Sequence, residues 1–323
     1  MAVAFAMGTS VKDGSGLQAC IENLALGSLV AFALVPSAVH ATTYSLVVSG
    51  LGGEPSYEQR FREQAQKIGS AAQRLEGDNS TCVVLSGDRA TRESLRRELK
   101  SLATKAGTDD QVILTLIGHG SFDGTQYRFN LPGPDVTDTD LTSLLDQLKT
   151  QQVLIVNATS ASGAVLERWQ NSKRILVTAT KSGGERTATR FGEFWTAAVS
   201  GSEADVNKDD VVTVSEAFDY ASRKVADSFK ADALLATEHA RLEGAGPERF
   251  QVARLGTAAR VSTDPELNKM YAERVRIERE LDEVKQRKSS LNVDTYYDEL
   301  EGVLVRLATL QRDIDARGTE GSP

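Results

Sequence analysis

The sequence is poor in cysteine and in positive charge, and both shortages restrict the ligands and the kinds of site that the protein can have. Lysine and arginine number 37 against 45 aspartates and glutamates, which gives a net charge of −8. This acidic balance provides no basic field for nucleic acid or for anionic lipid. The cysteines are Cys20 and Cys82, and Cys82 sits in the apolar run TCVVL, where a buried structural thiol is expected. The 40% hydrophobic content allows a substantial core in 323 residues.

The first 41 residues differ in character from the rest of the chain. The segment Leu24–Ala41 is apolar and ends in the letters VHA, as the cleavage region of a secretory signal does. We therefore predict a signal peptide over residues 1–41 and an exported protein, periplasmic or extracellular, with one thiol left and no disulfide or thiolate metal site. Without cleavage the segment would anchor the chain in a membrane. Lys12 is offset by Asp13 in the region before it, so an initiator at Met7 stays open.

Apolar, β-branched runs alternate with amphipathic stretches in the middle of the chain. The predicted strands are Tyr44–Val48, Thr81–Leu85, Val112–Ile117, Val153–Asn157 and Ile175–Ala179. The predicted helices are Tyr57–Leu75, Thr91–Leu102, Asp138–Leu148 and Gly163–Gln170. The strand runs are continuously apolar rather than alternating, which indicates strands covered on both faces. The fold class predicted for residues 42–260 is therefore α/β, a three-layer sandwich with a mostly parallel sheet.

A different pattern begins at Asp264, where an N-cap residue, a proline and an acidic first turn predict a helix start. Apolar residues then recur at three- or four-residue spacing in two sets of different register: Leu267, Met270, Ile277, Leu281, Val284 and Leu291, then Tyr296, Leu300, Val303, Leu307, Leu310 and Ile314. Arg274 and Lys288 fill gaps in the first set. A helical hairpin and a single kinked coiled-coil helix both fit this arm, residues 261–317, before a disordered tail at residues 318–323.

Two strand ends carry the residues of chemical interest. The stretch VILTLIGHGSFDG places His119 between two glycines, and VLIVNATSASGAVLERW places Ser160 in a turn of small residues. Ligands of parallel sheets bind at the carboxyl ends of strands, so both residues are expected at this one edge of the sheet, which is called the rim below. Asp123 is the acid nearest to His119 in sequence. The histidine His239, in LATEHARLE, is expected to be structural or exposed.

These two stretches resemble the caspase–legumain clan of peptidases. In that clan an apolar strand ending in His-Gly is followed by a second one that ends in Cys-x-Ser-Gly. Aligning the terminal Ser162-Gly163 pair places Ser160 at the position of the family cysteine. The run TATKSGGERTATRFGEFWTAAV and the acidic loop after it resemble bacterial legumain-like peptidases in particular. The resemblance covers residues 44–229, and serine at the nucleophile position is its departure from the family.

The resemblance implies a catalytic role for His119 and Ser160, with an oxyanion hole formed by the backbone N–H groups of Gly120 and Ser160. It implies an exported peptidase-type hydrolase that acts on peptide bonds of a peptide or protein substrate. A serine hydroxyl needs a base in direct contact, whereas a thiol does not. The alternative is therefore a catalytically inactive peptide-binding scaffold whose helical arm binds a partner or self-associates. A turn serine without a ligand, a shifted register with Thr159 as the relevant hydroxyl, and esterase or transpeptidase activity also stay open.

Basic residues follow the next strand end, where folds of this kind build a wall of the substrate pocket. They are Lys181, Arg186 and Arg190. Their charges would suit an acidic side chain of a substrate, and solvated loop charges are the alternative.

The acidic loop ADVNKDDVVTVSE follows the ligand schedule of an EF-hand over residues 205–216. The candidate ligands are Asp205, Asn207, Asp209, the carbonyl of Val211, Thr213 and Glu216. Hard oxygen donors at this spacing predict Ca²⁺ as a structural cofactor of weak, extracellular-grade affinity. The sixth position, usually a glycine with left-handed backbone, is Asp210, and aspartate tolerates positive φ at modest cost. An acidic helix start without metal is the alternative.

Overall fold

The computed structural model describes residues 41–75, 80–255 and 265–320. Its strands are β1 (Thr43–Ser49), β2 (Ser80–Leu85), β3 (Gln111–Ile117), β4 (Gly120–Phe122), β5 (Tyr127–Phe129), β6 (Val136–Thr137), β7 (Gln152–Asn157), β8 (Arg174–Thr178), β9 (Val211–Thr213), β10 (Arg241–Glu243) and β11 (Gln251–Arg254). Its helices are α1 (Pro55–Ala72), α2 (Arg92–Lys105), α3 (Asp138–Leu145), α4 (Leu166–Trp169), α5 (Phe191–Ser200), α6 (Val214–Ala231), α7 (Pro265–Gln286) and α8 (Val293–Glu320).

Six strands form the central sheet, in the order β10-β8-β7-β3-β1-β2. Neighbouring strands are parallel except for β10, which runs antiparallel to β8. The five predicted strands are all present, each with bounds within one residue of the prediction. The predicted α/β class with a mostly parallel sheet is confirmed.

Helices cover both faces of this sheet and complete the three layers. On one face, Phe61 of α1, Trp195 of α5 and Phe229 of α6 pack in one apolar cluster against the strands. On the other face, Leu95 of α2 and Trp169 of α4 belong to a second cluster, together with leucines of α3. Since apolar side chains are buried on both sides, the strand sequences are apolar without alternation.

Several short strands were not predicted. β4, β5 and β6 form a three-stranded antiparallel sheet, and β9 pairs with β11. These strands have two to four residues each, too few for a two-residue alternation to stand out. The predicted helix Gly163–Gln170 is wrong in form, because a 3-10 turn over Ser162–Val165 precedes the single turn of α4. The N–H of Gly163 donates to Thr180 Oγ1 at 2.8 Å, so the loop after β8 shapes this turn.

The C-terminal arm is an antiparallel hairpin of α7 and α8. Polar contacts cross it in antiparallel register: Arg287 with Glu299, Arg306 with Glu280, and Arg274 with Gln311. Arg274 is 4% exposed and also donates to the backbone carbonyl of Asp209 at 3.4 Å. α8 is described as far as Glu320, three residues beyond the predicted end of the arm at residue 317.

Three sequence predictions fall wholly or partly outside the described ranges. Residues 1–40 hold nearly all of the predicted signal peptide, residues 256–264 hold the predicted helix start at Asp264, and residues 321–323 hold the end of the predicted tail. Within the ranges that are described, no helix has both the length and the apolar character needed to cross a bilayer.

Candidate functional site

The central sheet has a topological switch point between β1 and β3. From β1 the chain crosses to β2 on one side, whereas β3 leads on to β7 on the other. The loops that leave β1 and β3 therefore diverge, and a crevice opens at the carboxyl ends of these strands, where doubly wound sheets bind ligands. Gly50 and His119 lie in these two loops, and the N–H of Gly50 donates to the carbonyl of Ile117 at 2.8 Å.

The imidazole of His119 is half-buried in this crevice. Its ring packs edge-on against Tyr57, with centroids 4.8 Å apart, and against Phe61, with centroids 5.1 Å apart. Burial lowers the pKa of His119 below its ordinary value, a hydrogen bond with the backbone of Gly52 opposes this shift, and the charge of Arg60 adds to it. The imidazole is therefore held neutral near pH 7, in the form that accepts a proton.

Ser160 lies at the same edge of the sheet as His119. The register of β3 and β7 pairs Leu116 with Asn157, and each functional candidate follows three residues after its member of that pair. The turn after Ser160 is strained, because Ala161 has a φ of 55° and is completely buried. Side chains other than glycine rarely adopt this conformation, so tertiary contacts hold the turn in shape.

No hydrogen bond joins the imidazole to the Ser160 hydroxyl in the part of the chain that the structure describes. Ser160 is 3% exposed, and no side chain of the described residues hydrogen-bonds to its hydroxyl, although this oxygen is not among the fully buried polar atoms that lack a partner. None of the described carboxylates forms an ion pair with the His119 ring, and Asp123, the acid nearest to it in sequence, is bound to Arg128 at 2.8 Å. The two predicted residues thus share a strand-end rim without forming a hydrogen-bonded dyad.

Gly120 lies against the Ser160 turn. A β-carbon at this position would come within 2.5 Å of the Ser160 carbonyl oxygen and 2.6 Å of Thr159 Oγ1, so only glycine fits. The N–H of Asn130 donates to the carbonyl of His119 at 3.1 Å, which makes Gly120 and Phe129 a non-hydrogen-bonded pair of the ladder. The N–H of Gly120 therefore points away from β5, as a donor to an oxyanion must.

Thr159 is buried in a polar network with Tyr127 and Asn157. Its hydroxyl lies 2.6 Å from the hydroxyl of Tyr127 and 2.8 Å from Oδ1 of Asn157, and the residue has no exposed surface. Burial raises the pKa of Tyr127 to about 12, so this network does not titrate near neutral pH. Thr159 therefore fills a structural role, and Ser160 is the remaining candidate hydroxyl.

Glu185 is a residue of this rim that the sequence did not single out. Its backbone carbonyl accepts the N–H of Ala161 at 2.7 Å. Its carboxylate lies 2.5 Å from Nδ1 of His239 and accepts the backbone N–H groups of His239 and Lys181. The sequence signal available was the four-residue spacing from Lys181, which pairs with Glu185 at 3.5 Å.

The predicted basic pocket wall is only partly free. Arg186 is exposed and makes no ion pair with any described residue. Arg190 is held by α6, since its guanidinium lies 2.6 Å from Asp232 and 4.3 Å from the ring centroid of Phe229. With Lys181 engaged by Glu185 and Arg190 engaged by α6, Arg186 is the basic residue available to a ligand.

The thiol of Cys82 is not part of this rim. It lies on β2 at the far side of β1, and burial raises its pKa to about 11. A thiol with so high a pKa supplies almost no thiolate at neutral pH, as expected for a structural cysteine.

The acidic loop has the backbone that an EF-hand requires. Asp210 has a φ of 63°, the left-handed conformation expected at the sixth position. The carboxylate of Asp205 is buried and accepts the N–H groups of Asp209 and Asp210, both at 3.2 Å. β9 supplies the seventh to ninth positions, and α6 begins directly after it.

The last predicted ligand of this loop is engaged at the start of α6. Glu216 accepts the backbone N–H of Thr213 at 3.0 Å and its hydroxyl at 2.8 Å, and so caps the start of α6. Among the described residues no three acidic, histidine or cysteine side chains converge on one point. Burial, together with the charges of Asp205 and Glu216, raises the pKa of Asp209. The oxygen donors suit Ca²⁺, and Glu216 would have to leave its cap to complete the set.

Comparison with known proteins finds similar folds and no similar sequences. No family model and no curated protein matches the chain. A Geobacter sulfurreducens protein shares 12% identity, with a TM-score of 0.44, over 67% of this chain and 99% of its own. A secreted cysteine protease of Bacteroides thetaiotaomicron, solved with an irreversible peptide inhibitor, shares 12% identity, with a TM-score of 0.36, over 58% and 59%. Caspase-1 of Spodoptera frugiperda shares 8% identity, with a TM-score of 0.43, over 67% and 92%. At these scores the functional argument rests on the geometry of the chain itself.

Proposed function

We propose that the chain is a peptidase-type hydrolase that acts on peptide bonds through Ser160 and His119. The observation that carries the proposal is their placement, three residues beyond paired positions of neighbouring parallel strands, beside the switch point of the sheet. The neutral imidazole suits a general base, because its pKa lies below the ordinary value.

In this proposal each group of the rim has one task. The Ser160 hydroxyl attacks the substrate carbonyl and passes its proton to His119, and the oxyanion that forms accepts the N–H groups of Gly120 and Ser160. His119 then gives the proton to the leaving amine, and water releases the acyl group by the reverse route. Tyr57 and Phe61 fix the plane of the imidazole during both transfers.

A second candidate is a catalytically inactive scaffold that binds peptide at the same rim. The observations that favour it are the 3% exposure of Ser160 and the absence, among the described residues, of a hydrogen bond between its hydroxyl and a base. A serine without a contacting base is a poor nucleophile, whereas a binding role needs only the N–H donors and the crevice. The hairpin of α7 and α8 would then recruit the partner.

A peptide-library digest with the full chain tests both candidates. Wild type, Ser160→Ala, Ser160→Cys and His119→Ala are compared, with Ser172→Ala, an exposed serine of the same sandwich, as the matched control. Turnover that is lost by ~10³-fold or more in Ser160→Ala and His119→Ala, and kept in Ser172→Ala, supports the hydrolase. Turnover in the Ser160→Cys variant alone, with peptide binding by wild type, supports the scaffold. Turnover that is equal in wild type and Ser160→Ala would end the hydrolase proposal.

We also propose that the loop of residues 205–216 binds Ca²⁺ as a structural ion. Support comes from the donor chemistry of Asp205, Asn207 and Asp209 and from the left-handed backbone at Asp210. Such a clip would fasten the start of α6 to the strand pair β9 and β11, on the sheet face that carries α1 and α5.

A further inference from the structure

A second apolar seam runs along α8, beside the seam that packs on α7. The buried seam includes Tyr296, Val303 and Ile314. The second consists of Val293, Tyr297, Leu304 and Ala308, spaced by four, seven and four residues, and these four residues are called the outer seam below. This spacing places them on one stripe of the helix.

The outer seam is exposed to solvent in the single chain. Val293, Tyr297 and Leu304 are 70%, 57% and 45% exposed, and the adjacent Val305 is 58% exposed. Val293, Tyr297, Leu304 and Val305 together are half of the large exposed hydrophobic side chains in the described ranges. Such a concentration on one helix, rather than scattered single residues, marks an interaction surface.

We infer that this exposed face of α8, with Leu304 and Val305 at its centre, pairs with the same face of α8 in a second copy of this chain, in antiparallel orientation. Charge along α8 decides the orientation. Residues 293–305 contain four acidic residues and no basic one, whereas the later half of α8 holds Arg312, whose side chain is 74% exposed. Antiparallel pairing sets the acidic half of each helix against the more basic half of the other, and parallel pairing sets acid against acid.

Leu304 and Val305 fix the register of this pairing. A two-fold axis between Leu304 and Val305 brings these side chains together at the centre of the interface. Tyr297 then faces Arg312 of the second copy, where the guanidinium can stack on the ring, and Glu301 lies one turn from the same guanidinium. Arg312 is available, because its side chain is 74% exposed and its ion pair is with its sequence neighbour Asp313.

Two hairpins joined in this way form a four-helix bundle. Each α8 then has two apolar neighbours, α7 of its own chain and α8 of the second copy, which accounts for both seams. The central Leu304 and the aromatic Tyr297 would carry most of the binding free energy, since buried aromatic and aliphatic anchors dominate small interfaces.

Sedimentation of the full chain across a concentration series, from about 1 to about 100 μM, tests this inference. Wild type is expected to dimerise, and Leu304→Glu is expected to raise the dimer dissociation constant at least ~10-fold. The matched control is Leu235→Glu, which adds the same charge at a leucine that is 90% exposed and lies outside α8, and it should leave the constant unchanged. Helix content from circular dichroism verifies that the hairpin is folded in both variants.

A charge exchange tests the orientation. Glu301→Arg and Arg312→Glu should each weaken the dimer, and the double variant should recover most of the loss, because the two positions meet only in the antiparallel pairing. A wild-type chain that is monomeric at the highest concentration, or a dimer that Leu304→Glu leaves intact, would overturn the inference. A dimer that the double variant fails to restore would overturn the antiparallel register. These outcomes do not depend on turnover, so they are independent of the proposed function.

Discussion

The backbone N–H of Ala161 donates to the carbonyl of Glu185 at 2.7 Å, and the Glu185 carboxylate lies 2.5 Å from Nδ1 of His239. The strained turn that presents Ser160 is thereby fastened to the loop after β8 and, through that loop, to the chain before β10. The shape of the rim depends on this connection, because Ala161 would not hold a φ of 55° by itself.

Glu185→Ala should lower the free energy of unfolding by roughly 1–3 kcal/mol, because two backbone N–H groups and the His239 ring lose their acceptor. Chemical denaturation measures the change. The matched control is Glu248→Ala, which removes an exposed ion pair with Arg249 and should cost less than ~0.5 kcal/mol. Equal effects of the two substitutions would show that Glu185 does not hold the rim.

The contribution of Glu185 should also depend on pH. Burial by itself raises the pKa of this carboxyl, but hydrogen bonds from His239 and Lys181 outweigh it, and the pKa lies below its ordinary 4.5. A depressed carboxyl pKa gives stability that is present above 4.5 and lost as the pH falls through the folded-state value. The difference in stability between wild type and Glu185→Gln should therefore shrink below pH 4.5. A difference that is constant from pH 7 to about pH 3 would contradict this assignment.

Tyr127→Phe should destabilise the fold by about 1–3 kcal/mol. The substitution removes one hydroxyl and leaves Thr159 and Asn157, which are both buried, with incomplete hydrogen bonding. Tyr44→Phe is the matched control, because Tyr44 is only partly buried on β1 and its hydroxyl has no partner among the described residues. Denaturation midpoints that move equally for both variants would show that the network adds nothing to the turn.

Sequence patterns predict the central strands of this molecule well, and they predict the residues of the rim without their contacts. The two strands that end near Leu116 and Asn157 were predicted because continuous apolar runs are typical of strands that are covered on both faces. The ends of these strands place His119 and Ser160 at one edge of the sheet. The contact between His119 and the loop at Gly52 joins residues far apart in the chain, and no local pattern encodes it.

The pocket wall shows the same limit. Lys181, Arg186 and Arg190 are visible in the sequence as a basic group, but the acids that bind two of them are set by tertiary packing. Asp232 reaches Arg190 from the end of α6, and Glu185 contacts both Lys181 and His239. A count of charges therefore predicts a basic wall where the structure leaves Arg186 free of ion pairs with the described residues.

The state of His119 makes a prediction for stability against pH. Burial lowers its pKa from the ordinary 6.5, so the unfolded chain binds this proton more readily than the folded one. Stability is then complete above pH 6.5 and falls as the pH drops from 6.5 toward the folded-state value. His119→Gln should flatten this part of the curve. Urea titrations of wild type and variant at several pH values measure the slope, and a slope that is equal in the two would contradict the prediction.

The acidic loop offers a prediction through its backbone. Asp210 and Lys208 both have positive φ, 63° and 60°, and glycine adopts this conformation without strain. Asp210→Gly should therefore raise the free energy of unfolding by up to ~1 kcal/mol without metal. It should also tighten Ca²⁺ binding, because glycine holds the left-handed backbone of the sixth position without strain.

Thermal unfolding with Ca²⁺, with Mg²⁺ and with a chelator measures both effects of this substitution. Ca²⁺ at about 1–10 mM should raise the unfolding temperature of wild type and more so of Asp210→Gly, whereas Mg²⁺ should not, since its octahedral demand suits this loop poorly. Asp205→Asn removes one charge from the buried first ligand and should abolish the Ca²⁺ response, while Asp219→Asn, on α6 outside the loop, should leave it intact. A chelator that changes nothing in wild type, together with a Ca²⁺ response that survives in Asp205→Asn, would assign the loop to capping α6 alone, as Glu216 does through Thr213.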